Sequence, residues 1–453
     1  KKVIEHGRIR DALDSEKTRI YHHELLFKTV ERDKIIKLQL EDKVLEGHEK
    51  CADHLNKEVR ILLGNPAKLD GKAQEELLAG VKVCFTEEDN IMLDSAISNA
   101  EIKQSLTKAN QKASPGADGI PYSFYLSFWP DIGSHLCDIV RHIYEEGPPT
   151  PSMSTSHMVF SAKPGKQSSQ KPKDKRKLSM LAADYKVLTG VIAARLRKTE
   201  NHTLSSRQFS ASNKKVAHAI NQFRDMIDNV SAKDKGISVA ETDFQAAFDL
   251  IAVQWVWKVL QAKGCSTGFI AKMVRIYEST NYVVTIINNE EQPRIKNKRN
   301  SIKQGDRGST CLFSYGIDPV LEQLEENLSG QQYHKIATAG PAHPTLGPPP
   351  FVETRLKVAG FVDDLKCILR SLSEFQYLDH LIQLFESSSG SRLHRNPETK
   401  KCQLLCLGRW SQWKQANSPL DYMKITEQLN ILGVTMARST QTTRSLNGEE
   451  LVS

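Results

Sequence analysis

The segment Val358–Leu369 constrains the fold more than any other stretch of this sequence. Two apolar arms, Val358–Val362 and Leu365–Leu369, flank the pair Asp363 and Asp364. Apolar runs on both sides of a short polar tip predict a β-hairpin with the two carboxylates at its turn. Adjacent carboxylates repel each other, and a hard divalent cation such as Mg²⁺ or Mn²⁺ relieves that repulsion. Taken alone, the pattern also fits an ordinary turn that contains aspartate.

A third aspartate lies at the end of another β-like run. Asp243 closes the run that begins with Ile237–Val239, and an aromatic residue, Phe248, follows five positions later. Further along the chain, Gln304-Gly305 leads into a predicted helix over residues 309–328. A carboxylate at a strand end faces solvent and can reach a cation.

These three blocks, in this order, resemble the palm motifs of reverse transcriptases. Asp-x-x-x-x-Phe-Asp begins at Asp243, Gln-Gly-x-x-x-Ser-x-x-Leu-Phe begins at Gln304, and Phe-x-Asp-Asp ends at Asp364. Other segments across residues 86–436 resemble the LINE (non-LTR retrotransposon) type. They are Ser114–Tyr125, Phe128–Pro130, Lys163–Lys166 with Arg176–Ser179, Ser389–Lys401, and Leu429–Val434.

The resemblance implies an α+β fold with the right-hand architecture of polymerases. It implies fingers and a palm, an antiparallel palm sheet packed on helices, and a thumb that is largely missing. The implied domains are an N-terminal helical extension at 1–85, fingers at 86–236, a palm at 237–436 with an insertion near 329–350, and the start of a thumb or a disordered tail at 437–453.

Apolar periodicity gives expectations for individual elements. One or two long helices are expected from Asp14 to Leu63, and one from Thr86 to Leu106. The basic stretch Lys163–Lys177 has seven Lys or Arg residues against one acid, and its Gly, Ser and Pro content predicts a hairpin or loop. Further helices and strands are expected at 185–197, 216–230, 253–263, 237–239 and 282–287.

The resemblance also implies a reaction, RNA-templated DNA synthesis by two-metal-ion nucleotidyl transfer within a retrotransposon-type polyprotein. Asp243, Asp363 and Asp364 are the implied metal ligands for two Mg²⁺ ions, with Mn²⁺ as a substitute, and they are expected to converge. Lys400 is the implied proton donor to pyrophosphate, although Lys401 is equally well placed by sequence.

The nucleotide-binding residues implied by the resemblance are Lys163, Arg176, Phe248, Gln304 and Gly305. Lys163 and Arg176 are candidates to hold the triphosphate of the incoming dNTP. Phe248 resembles the steric gate that excludes a ribose 2′-hydroxyl, although it also fits a core aromatic residue. The implied partners are an RNA template, a DNA primer and dNTPs.

Composition adds weaker constraints. The formal net charge of +8 favours a polyanionic partner. Eight cysteines without a CxxC pair give no disulfide framework, which favours a reducing compartment, the nucleus or the cytoplasm. We find no signal peptide and no apolar run long enough to span a membrane.

Two alternatives remain open at this point. One is a maturase-like or RNA-copying polymerase, because several template-dependent polymerases share the metal site. The other is a catalytically degenerate nucleic-acid-binding remnant of a mobile element, favoured by the unusual segment Arg207–Ala211. The three aspartates argue against a remnant, and Phe248 argues against the use of ribonucleotides.

Overall fold

The computed structural model describes residues 34–150, 152–163, 165–212, 214, 216–230, 236–279, 282–336 and 351–438. Helices pack around two five-stranded sheets in this part of the chain, which confirms a mixed α/β fold. None of the described helices has the length and apolar character needed to cross a membrane.

The first described elements are a short hairpin and two helices. They are β1 (Lys37–Gln39), β2 (Val44–Glu46), α1 (His48–Leu63) and α2 (Gly71–Leu78). The expected long helices are therefore wrong for residues 37–46, and residues 14–33 lie outside the described residues. The apolar side chains here follow a period of two, because Leu38 is buried between exposed neighbours. Leu38 packs with Cys51 and Leu55 of α1, so the hairpin covers that helix.

Four helices follow. They are α3 (Glu87–Asp94), α4 (Asn99–Thr107), α5 (Tyr122–Ser127) and α6 (Trp129–Glu145). The single helix expected from Thr86 to Leu106 is divided in two, because Ser98 begins a new helix. Its hydroxyl accepts a hydrogen bond from the Glu101 amide (3.3 Å), and the Glu101 carboxylate accepts one from the Ser98 amide (2.9 Å). This capping box makes a helix start more stable there than continuation.

The basic stretch 163–177 is the tip and the beginning of the second strand of a hairpin, as expected. The hairpin and the two helices after it are β3 (Thr155–Ala162), β4 (Lys175–Met180), α7 (Ala183–Thr203) and α8 (Val216–Asn229). The expected helices at 185–197 and 216–230 are confirmed, and α7 extends further in both directions.

The remaining elements come as runs of helices and runs of strands. They are β5 (Ile237–Thr242), α9 (Ala247–Leu250), α10 (Val253–Ala262), α11 (Thr267–Ser279), β6 (Tyr282–Ile287), β7 (Glu290–Glu291), β8 (Ile295–Lys296), α12 (Ser309–Asn327), β9 (Gln331–Ile336), β10 (Phe351–Leu356), β11 (Val358–Phe361), β12 (Asp364–Leu369), α13 (Leu372–Ser389), β13 (Gln403–Leu407), β14 (Lys424–Thr426), β15 (Gln428–Ile431) and β16 (Val434–Ala437). The expected insertion near 329–350 contains β9, which pairs with β10 beyond it. Residues 337–350 lie outside the described residues.

The sheet that carries the aspartates has the strand order β11-β12-β5-β13-β14. Its first four strands are antiparallel, but β14 runs parallel to β13, so the expected antiparallel sheet is wrong at this edge. The connection from β13 returns along the sheet before β14 begins, and the Lys424 amide donates to the Cys402 carbonyl (2.9 Å). The second sheet has the order β4-β3-β6-β7, with β8 also paired to β6.

The aspartate-bearing sheet has an apolar layer on each face. Leu365 and Cys367 of β12 face the main core, together with residues of α12 and α13. Ile368 of β12 and Val239 of β5 face a smaller core with Phe223 of α8. Because side chains alternate along a strand, the end of this sheet is held between two packed layers.

Candidate active site

The three aspartates lie at one end of the central sheet. Asp243 follows the last residue of β5, Asp363 lies in the turn between β11 and β12, and Asp364 begins β12. Thr242 pairs with Leu365, so the next position along β5 brings Asp243 opposite Asp364. The hairpin predicted from the sequence is therefore present. Of the two aspartates expected in its turn, only Asp363 lies there, next to Val362.

The turn of the β11–β12 hairpin is held from both sides. Val362 has a positive φ of 58°, a left-handed conformation that a β-branched residue rarely adopts. The Gly360 amide donates to the Arg207 carbonyl (2.9 Å), and the Phe209 amide donates to the Gly360 carbonyl (2.7 Å). A Cβ atom at Gly360 would lie only 2.9 Å from a methyl group of Leu321. The unusual segment Arg207–Ala211 thus supports the hairpin that carries the aspartates.

Mutual repulsion is evident at Asp363. Burial raises the pKa of this carboxyl group above its usual value, and the charges of Asp243 and Asp364 raise it further. The Lys401 ammonium opposes this rise in the pKa. Such an excess of negative charge is the condition under which a bound cation is favoured.

Asp243 has two basic neighbours. Its Oδ2 atom lies 3.1 Å from Lys401 Nζ and 3.5 Å from His394 Nε2. The Asp243 backbone is also fixed, because its carbonyl accepts a hydrogen bond from the His394 amide (3.0 Å) and the Gln245 amide donates to the Arg392 carbonyl (2.7 Å). The segment after α13 therefore holds Asp243 through both backbone and side-chain contacts.

Of Lys400 and Lys401, Lys401 is the one that contacts Asp243. Lys400 has a left-handed backbone conformation at the end of a short 3₁₀ turn and is exposed. It has no ion pair with another described residue, whereas Lys401 pairs with Asp243. Of the two lysines that the sequence left equally placed, the geometry favours Lys401.

Asp364 is paired with a lysine of its own strand. The Lys366 ammonium contacts Asp364 Oδ1 and lies 3.3 Å from Glu241 Oε1. Within the described ranges, no group of three or more His, Cys, Asp and Glu side chains is arranged to hold a metal ion. The three aspartates thus lie at the same end of the sheet, and lysines pair with Asp364 and Asp243.

The basic hairpin places Lys163 where the charges of Asp243 and Lys401 act on it. Lys163 follows β3, and its amide donates to the Asp174 carbonyl (2.9 Å) across the hairpin. Burial lowers the pKa of Lys163, the charge of Lys401 lowers it further, and the charge of Asp243 raises it.

Arg176 pairs in register with Ser161, two positions before Lys163, so Arg176 and Lys163 lie on one face of the hairpin. Arg176 is exposed and forms no ion pair among the described residues.

Gln304 and Gly305 join this hairpin to the start of α12. The Ser179 amide of β4 donates to the Gln304 carbonyl (2.7 Å). Gly305 has a φ of +121°, and a Cβ atom there would lie 2.4 Å from the Ser179 carbonyl oxygen. Only glycine therefore permits this approach without a shift of the strand.

Phe248 lies in α9, five residues after Asp243. Its ring is half-buried, with its centroid 5.4 Å from that of the buried Phe313 and the planes tilted by 53°. The preceding turn includes Ala246 with a left-handed φ of 39°. The ring therefore packs partly against the main core and is partly exposed.

Sequence reasoning missed three polar residues of this site, Glu241, Lys366 and His394. The first two are charged residues inside apolar strands, which is a detectable irregularity, because a buried charge needs a partner. No comparable signal marks His394, whose position depends on the pairing between residues 244 and 393.

Comparison with known proteins gives two matches. A model of the family "Reverse transcriptase (RNA-dependent DNA polymerase)" matches residues 162–436, which is more than half of the 453 residues. The "Transposon TX1 uncharacterized 149 kDa protein" of Xenopus laevis is 24% identical over 335 residues. This second match covers 73% of the chain but only 24% of the Xenopus protein, so the chain spans about a quarter of that relative's length.

Proposed function

The chain belongs to the reverse transcriptase (RNA-dependent DNA polymerase) family, and on this premise we propose that it copies RNA into DNA as part of a LINE-type retrotransposon protein. One observation carries the proposal. Asp243, Asp363 and Asp364 lie at one end of a sheet, in the chain order of the family motifs, with Lys401 in contact with Asp243 and the charge of Asp243 acting on Lys163. The proposed partners are an RNA template, a DNA primer and dNTPs.

The proposed architecture is that of a right hand. The sheet with the aspartates is assigned to the palm (237–436), and the region with the basic hairpin to the fingers (86–236). Residues 1–85 are assigned to an N-terminal extension, residues near 329–350 to an insertion in the palm, and 437–453 to the start of a thumb. The eight free cysteines favour a reducing compartment, and we propose the nucleus or the cytoplasm.

The donor set fits divalent cations. Asp243 and Asp363 are carboxylates whose charges act on each other, and oxygen ligands of this kind suit Mg²⁺ and Mn²⁺. Two bound Mg²⁺ ions would supply charge neutralisation at the primer 3′-hydroxyl and at the leaving pyrophosphate. In this assignment Asp243 and Asp363 are the principal ligands, and Asp364 is held beside them by Lys366.

The residues around the aspartates are assigned to the incoming nucleotide. Lys163 and Arg176, on one face of the hairpin, neutralise the triphosphate. Lys401 takes the role that the family resemblance gives to Lys400, because it lies 3.1 Å from Asp243. Gln304 and Gly305 hold the hairpin against α12, and Phe248 lies beneath the sugar.

Primer extension on an RNA template tests the proposal. The assay compares dNTPs with rNTPs in Mg²⁺, for the wild type and for Asp243→Asn and Asp363→Asn. We expect DNA synthesis by the wild type and a loss of about a hundredfold or more in each variant, the size of effect typical of a lost charge-stabilising group. Asp421→Asn is the matched control, because Asp421 is exposed and forms no ion pair among the described residues.

Each other outcome supports an alternative. Template binding without synthesis by any form would favour a degenerate remnant of a mobile element. Extension with rNTPs as efficient as with dNTPs would favour an RNA-copying polymerase. Full activity in both Asp243→Asn and Asp363→Asn would remove these residues from the chemistry.

A further inference from the structure

Lys366 is a buried lysine in a strand whose neighbouring side chains are apolar. Its side chain is only 3% exposed. On the same face of the sheet, Ile368 and Val239 belong to an apolar core with Phe223 of α8. A leucine or methionine would fill this position without the desolvation that an ammonium group suffers.

Two carboxylates compensate the charge of Lys366. Glu241 is its direct cross-strand partner, with the Lys366 ammonium 3.3 Å from Glu241 Oε1. Asp364 lies two residues before Lys366 on the same face and contacts the same ammonium. Gln403, the partner of Glu241 on the other neighbouring strand, donates to Glu241 Oε2 (3.4 Å). The four side chains form a connected row that reaches the end of the sheet at Asp364.

The row sets how much negative charge the end of the sheet presents. Lys366 and Glu241 together are neutral, so Asp364 contributes a single negative charge in the wild type. If Lys366 were neutral, the row would carry two negative charges. If Glu241 were neutral, Lys366 would cancel Asp364 and the row would carry none.

We propose that Lys366 and Glu241 are positioning residues that fix the charge and direction of Asp364, and thereby set the affinity of the aspartates for divalent cations. The proposal rests on the proposed function, because it concerns the same site. A buried ion pair is often no more stable than apolar side chains of similar volume, so stability alone does not explain its presence.

Binding of Mn²⁺ to the full chain tests the proposal without any need for activity. Free Mn²⁺ is measured by electron paramagnetic resonance during titration of the protein. Lys366→Met should bind Mn²⁺ more tightly and Glu241→Gln less tightly, each by on the order of tenfold for one unit of charge near a divalent ion. The double variant should return close to the wild-type affinity, and Lys366→Arg should retain it.

The opposite signs separate this role from a structural one. If Lys366 only stabilised the sheet, both single variants would lower the unfolding temperature, and neither would tighten Mn²⁺ binding. Lys357→Met is the matched control, because Lys357 donates to a backbone carbonyl at Glu325 (2.6 Å) and contacts no aspartate of the site. It should leave Mn²⁺ affinity unchanged.

Failure of the proposal and failure of the proposed function give different results. If the wild type does not bind Mn²⁺, or Asp363→Asn does not weaken binding, the metal site itself is refuted. If the wild type binds and Asp363→Asn weakens binding, but Lys366→Met and Glu241→Gln shift the affinity in the same direction or not at all, the inference is refuted.

Discussion

Removal of the Phe248 ring should relax sugar selection. The substitutions Phe248→Val and Phe248→Ala take away ring atoms without touching an aspartate. The ring is half-buried and lies on Phe313, at a centroid distance of 5.4 Å, so the support beneath it stays in place. We expect ribonucleotide incorporation to rise, while deoxynucleotide incorporation falls only moderately.

The magnitude follows from steric strain. A 2′-hydroxyl forced against a packed ring resembles an overpacked core, which costs about 1–3 kcal/mol. That range corresponds to roughly 5- to 150-fold discrimination between dNTP and rNTP. Removal of a fully buried phenylalanine costs about 3–5 kcal/mol of stability, and because Phe248 is partly exposed we expect a smaller loss, so the variants should remain folded.

The assay is the ratio of rNTP to dNTP incorporation efficiency in primer extension on one RNA template. Phe248→Tyr is the matched control, since it keeps the ring and should keep the discrimination. An unchanged ratio in Phe248→Ala would refute the steric role and reopen the RNA-copying alternative. Loss of all polymerisation in Phe248→Ala would show that the ring is a core element.

Three further predictions concern a buried ion pair, a carboxyl group with a lowered pKa and a closely packed glycine. Lys263→Met should lower the free energy of unfolding by about 3–5 kcal/mol in urea denaturation, because Lys263 and Asp318 are both fully buried with 2.7 Å between their charged atoms. Burial alone raises the pKa of Glu101, but its arginine and serine partners lower it from 4.5 to about 2. The stability that Glu101 adds relative to Glu101→Gln should therefore be complete above pH 4.5 and disappear towards pH 2 in thermal melts. Gly305→Ala should raise the KM for dNTPs in primer extension, because the added Cβ would lie 2.4 Å from the Ser179 carbonyl oxygen; an unchanged KM would contradict that packing.

Helices and strands whose apolar residues follow one consistent spacing could be predicted from the sequence. The helix that begins at Ser309 has an apolar pattern over more than four turns, and its observed bounds differ from the expected ones by one residue. Residues 37–46 could not be assigned, because apolar spacings of two and of four residues overlap there. These residues form a hairpin because the paired strands pack their apolar side chains against α1. The interrupted helix after Thr86 shows that a local cap can outweigh apolar periodicity.

At the candidate site, chain order predicted three aspartates at strand ends, but not the residues that pair with each of them. Chain order alone identified Asp243 and the Asp363-Asp364 pair, because motif spacing is a property of the sequence. The partner of Lys366 depends on the register between two strands that are far apart in the sequence. Register brings Lys366 opposite Glu241, and the return of the chain after α13 brings Lys401 to Asp243.

The distribution of these lysines bears on how the aspartates work. Lys401 lies on a connecting segment and is 47% exposed at its side chain, whereas Lys366 lies within a strand and is 3% exposed. An exposed lysine on a loop can leave its carboxylate at little cost, since a surface ion pair is worth about 0–1 kcal/mol. If a buried lysine moved away, its carboxylate partners would be left without a counter-charge, which is costly. Under the proposed function, we therefore expect Asp243 to exchange its lysine for a cation and Asp364 to keep its lysine partner.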